Sequence, residues 1–178
     1  MSAGHLIVPE IDVLVATVAF LKERGVTCYK ISVARGRGID KRAAEASAWA
    51  ALGDDISHSY PFSSEGADIL GISETEWWNV ECKGSGTGVS QTQRNNFDRA
   101  LASTVSYYEE KPSNLPVKYA QYENARPYLG LALPASKAYL NELKRRVRLP
   151  LRKTLNLWIL LYDLNSKKIR AVSPEEGY

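Results

Sequence analysis

The chain has 178 residues, 44% of them apolar and 24% charged, with a formal net charge of +3. That suits one domain, residues 1–178, with a full-sized core, and leaves bulk charge silent about partners. Two cysteines, Cys28 and Cys82, and two histidines, His5 and His58, exclude a disulfide framework and a standard zinc finger.

In chain order, the opening apolar run is broken by Glu10 and Asp12, with no basic residue ahead of it. It reads as neither a signal peptide nor a membrane span, so the expected location is cytoplasmic. From Pro9 to Arg24, Ile11, Leu14, Val15, Val18 and Leu21 recur at helical spacing, and Gly25 is a stop. Residues 26–34 alternate and are β-branched, a strand; the basic, Gly-rich 35–38 is a connection. Asp40 caps an expected helix over 40–52. Strands are expected at 56–60, 67–72 and 76–83, then a loop at 84–90 and a helix over 91–108. An exposed turn region follows at 109–116, then a strand at 128–133, a helix over 136–147, a buried strand at 155–164 and its hairpin partner at 168–172. The class is α/β, a mixed central sheet covered on both sides.

Asp68, Glu81 and Lys83 are out of place in strands this apolar, because buried charges are costly unless paired or bound to a metal. Strand alternation puts Trp77, Asn79, Glu81 and Lys83 on one face and Trp78, Val80 and Cys82 on the other. The Cα atoms of Glu81 and Lys83 are then about 6.5–7 Å apart. A turn at 73–76 lets strand 67–72 pair with strand 76–83 and bring Asp68 beside Glu81. Two neighbouring carboxylates repel unless a cation lies between them or one stays protonated. All-oxygen ligands suit Mg²⁺, and a lysine alongside suits metal-assisted phosphoryl chemistry. The alternative is a surface salt bridge between Glu81 and Lys83 with Asp68 capping a turn. Trp77, on the Glu81 face, is placed at the edge of this site.

The stretch "EGADILGI" followed by "WWNVECKG" resembles the active-site hairpin of the PD-(D/E)XK nuclease superfamily, with its acid on one strand and Glu-x-Lys on the next. Ala67 stands where that motif often has proline. The resemblance covers about residues 40–133 and implies a restriction-endonuclease-like fold with an αβββαβ core. It further implies that Asp68 and Glu81, with the backbone carbonyl of Cys82, hold Mg²⁺ (Mn²⁺ substituting), and that Lys83 sits by the attacking water. Many members add a glutamate from the preceding helix; Glu45 is the candidate, its alternative being an ion pair with Lys41. Some use a glutamine on the following helix, which points to Gln93, with Phe97 four residues on.

For nucleic acid, Arg35 and Arg37 in the Gly-rich connection and Arg94 on the helix after the site are the candidate contacts. The stretch "KRRVRLPLRK" (144–153) is either a phosphate-binding run or a solvated helix face. Read together, these features imply a Mg²⁺-dependent DNA endonuclease of restriction or defence type, a homodimer if it cuts both strands. The alternatives are a repair or junction-cleaving nuclease and a non-catalytic nucleic-acid-binding subunit.

Overall fold

The computed structural model describes residues 7–32, 66–86 and 90–177. The expected helix at 40–52 and strand at 56–60, and with them Arg35, Arg37 and Glu45, lie outside the described residues. The elements are α1 (Glu10–Glu23), β1 (Thr27–Ile31), β2 (Ile69–Ile72), β3 (Glu76–Cys82), α2 (Ser90–Ser106), a short 3-10 helix (Val117–Tyr122), β4 (Arg126–Pro134), α3 (Lys137–Arg146), α4 (Leu149–Leu155), β5 (Leu157–Asp163) and β6 (Lys168–Val172). The 3-10 helix and α4 have no counterpart in the sequence reading. Both are short, and the basic residues of α4 mask its pattern.

The six strands form one mixed sheet in simple sequence order, β1 to β6. β1, β2 and β3 are antiparallel neighbours, β3–β4 and β4–β5 are parallel, and β5–β6 is antiparallel. β4 and β5 are largely apolar runs because helices cover both their faces, and β3 is as deeply buried while carrying Asn79 and Glu81. β6, at the edge, instead turns Lys168 and Arg170 outward. Segment 56–60 was expected to lead into β2. In the sheet both edges of β2 are filled, by 27–31 on one side and 76–82 on the other.

Alternation along the strands divides the core in two. Trp78, Val80, Cys82, Ala132, Leu160 and Tyr162 face α1 and pack on its Val13, Leu14, Val18 and Leu21. Leu129, Leu131, Leu133, Leu157, Ile159 and Leu161 face the other way, onto Phe97 and Ala100 of α2 and Tyr139 and Leu143 of α3. Each such fully buried side chain contributes about 1.5–3 kcal/mol. α1 stops where expected. Gly25, at φ +77°, takes the left-handed position and its N–H returns to Lys22 O at 2.9 Å.

Candidate metal centre

The β2–β3 register pairs Ile69 with Val80. One step further along both strands, Asp68 stands opposite Glu81. Both are buried, at 9% and 7% exposure. Asp68 Oδ2 accepts the backbone N–H of Cys82 at 2.7 Å, so the hairpin itself fixes that carboxyl. The Cys82 side chain points to the opposite face, into the core under α1. Lys83, just past β3, reaches back so that its Nζ lies 3.6 Å from Glu81 Oε1.

A third carboxylate, unforeseen in the sequence, completes the group. Glu10 Oε2 lies 3.2 Å from Lys83 Nζ. Glu10 opens α1, and the start of that helix is tied to the segment after β3. Val8 N donates to Ser85 Oγ at 2.7 Å, and Ser85 N donates to Val8 O at 3.0 Å. The approach is possible because residue 84 is glycine: a Cβ there would lie 2.5 Å from Val8 O and 2.7 Å from Glu10 N. From the other side the Tyr139 hydroxyl donates to Gly84 O at 2.8 Å. Two helices thus hold the backbone directly after Lys83.

A further contact comes from just beyond α2. The Tyr107 hydroxyl donates to Glu81 Oε2 at 3.2 Å. As an aromatic at a helix end, Tyr107 reads as packing in the sequence, and its ring does pack on the second core.

The electrostatics follow from this crowding. Burial, then the charge of Glu81, push the Asp68 carboxyl up to about 8, against the opposing bond from Cys82 N–H. Burial also raises Glu81, with Lys83 and Tyr107 opposing. Burial alone would lower Lys83, but Glu10, Asp68 and Glu81 outweigh it and the net shift is upward. Ionised together, the three carboxylates would exceed the one ammonium by two charges; without a cation, the proton held by Asp68 relieves part of that excess at neutral pH. Among the described residues no group of three or more His, Cys, Asp and Glu side chains forms a ready metal cage. The donors that are present are oxygens carried on two facing strands. They fit a hard divalent ion held by one or two carboxylates and otherwise by carbonyl and water, the habit of Mg²⁺.

The other sequence candidates are dispersed. Gln93 is buried in the first turn of α2 and lines a cleft of about 120 Å³ between α2 and α3, with Arg94, Asn141 and Glu142. Arg94 is half exposed, its Nε 3.9 Å from Glu142 Oε1. Phe97 is fully buried against Tyr139 and is a core residue. Trp77 does not edge the site. It lies four residues back along β3, where its Nε1–H donates to the Tyr29 hydroxyl at 3.0 Å. The basic run 144–153 is split between α3 and α4 and is largely engaged within the chain. Arg145 pairs with Glu142, Arg146 with Asp98 and Glu142, and Lys153 with Glu175. Arg152 is 1% exposed, and its guanidinium donates to the carbonyls of Val172, Ser173 and Glu176. It anchors the segment after β6 and is not available to phosphate.

Comparison with protein-family models, with curated proteins and with solved structures gave no match. No helix among the described residues is long and apolar enough to cross a membrane.

Proposed function

We propose that this protein is a Mg²⁺-dependent nuclease that hydrolyses phosphodiester bonds in DNA, of restriction or defence type, with Asp68, Glu81 and Lys83 as its catalytic set and Glu10 completing the site. The observation that carries the reading is the crowding of acids: Glu10 and Glu81 pair with Lys83 beside Asp68, in a place where burial makes ionised carboxylates expensive. A divalent cation would let all three ionise together. Among the described residues the order helix, three strands, helix, short 3-10 helix, strand from α1 to β4 is consistent with the αβββαβ core of the PD-(D/E)XK superfamily that the hairpin resembles and supports the reading. On this reading Glu10 stands as a candidate helix glutamate beside Glu45, which lies outside the described residues.

Asp68 and Glu81, with the Cys82 carbonyl, would hold the ion, which when bound supplies positive charge to the scissile phosphate and acidifies water. The chain's own residues do the rest. The Cys82 N–H holds Asp68 in place. Lys83, kept charged by Glu10, Asp68 and Glu81, orients the attacking water and meets the charge that builds on the phosphate in the transition state. Glu10 and Glu81 together hold the ammonium in place. A dimer would place two such sites on the two strands of a duplex.

Supercoiled plasmid with Mg²⁺ tests this. Wild type should nick or linearise it, EDTA should stop the reaction, and Lys83→Ala should lower the rate at least about a hundredfold with folding and DNA binding retained. A wild type that binds DNA but cuts no substrate form leaves a non-catalytic nucleic-acid-binding subunit instead.

A further inference from the structure

We propose that Tyr107 is a positioning residue that sets the affinity of the metal centre by fixing the carboxylate of Glu81. The inference rests on the nuclease reading of the site. Glu81 presents two oxygens to two different donors: Oε1 lies 3.6 Å from Lys83 Nζ, and Oε2 accepts the Tyr107 O–H at 3.2 Å. One donor comes from β3's own continuation, the other from the end of the neighbouring helix. Held from both sides, the carboxylate stands across the hairpin from Asp68 in one orientation. Without the phenol, the Glu81 carboxylate would swing toward Lys83. Binding an ion would then require turning it back and ordering it, a cost Tyr107 removes in advance.

Tyr107 is built for this. Its half-buried ring packs against the second core, which steadies the arm that carries the hydroxyl. Burial and the charge of Glu81 push the phenol up to about 12, so it stays a donor throughout the neutral range. Ser103, one helical turn earlier, contributes a side-chain hydrogen bond to the same phenol.

The test is Tyr107→Phe, which keeps the ring and removes the hydroxyl. Mn²⁺ binding is measured without substrate, by the paramagnetic resonance of the free ion. The dissociation constant should rise about 10–100-fold, and the Mg²⁺ needed for half-maximal cutting should rise by a similar factor, while the rate at saturating metal stays near wild type. The melting temperature in EDTA serves as the control for folding. If wild type binds Mn²⁺ and Tyr107→Phe binds it equally well, the inference is overturned and the metal reading stands. A metal-free melting temperature that drops while Mn²⁺ affinity holds would also overturn it, since Tyr107 would then be a packing residue only. If wild type binds no Mn²⁺, the metal reading and this inference fall together.

Discussion

Replacing Asp68 by Asn should make the metal-free protein more stable at pH 8, which is the reverse of what most substitutions of a buried residue do. The substitution keeps the shape and an oxygen to accept the Cys82 N–H, and it removes the charge opposite Glu81. In wild type the Asp68 carboxyl is raised to about 8, whereas an unfolded aspartate titrates near 4. The folded state therefore holds this proton more tightly than the unfolded one. Stability is present at low pH and is lost as pH rises from about 4 towards 8. Linkage sets a ceiling of about 5 kcal/mol on that loss at pH 8. Relaxation of the surroundings and penetration of water reduce it to about 2 kcal/mol. For a chain this long that is about 4–8 °C in melting temperature. Scanning calorimetry in EDTA should show Asp68→Asn melting above wild type at pH 8, with the gap narrowing to about a third at pH 5. Mg²⁺ should reverse the order, because only wild type gains from binding the ion. If Asp68→Asn melts below wild type in EDTA at pH 8, Asp68 is stabilised by its surroundings and the case for a missing cation is wrong.

Further outcomes follow from the same geometry. Glu10→Gln should raise the metal concentration needed for half-maximal cutting about tenfold; a nuclease insensitive to Glu10→Gln would remove that side chain from the site. Gly84→Ala should destabilise by about 1–3 kcal/mol, seen as a lower denaturant midpoint, and should weaken cutting beyond that loss, because the new methyl group displaces the start of α1. Arg152→Ala should cost at least about 3 kcal/mol without altering DNA affinity. A drop in DNA binding at unchanged stability would return Arg152 to the phosphate-binding surface.

The sequence made the acidic hairpin legible because everything that defines it is local. Asp68, Glu81 and Lys83 lie in or one residue beyond one pair of strands, and a period of two plus a short turn fixes which side chains share a face. Long-range partners carried no such signal. Glu10 follows Pro9 in the first turn of a helix, where any acid reads as a complement to the helix dipole. Only the passage of α1 over Gly84 makes it a neighbour of Lys83. Tyr107 meets Glu81 across 26 residues, through a helix whose tilt no periodicity records. Arg152 lies in the most basic stretch of the chain, yet three carbonyls, from the last residue of β6 and from the segment after it, draw it into the interior.

The sequence by itself determined the α/β class, the strand that carries Glu81 and Lys83, and the hairpin that puts Asp68 beside them. These depend on hydrophobic period and on contacts between residues close in the chain. The tertiary structure decided that 27–31 is the strand beside β2, that Glu10 joins the acids, and that Tyr107 steadies one of them. Each of those is set by how separate elements pack across the sheet. Packing is chosen by the fit of whole faces, and no single side chain announces it.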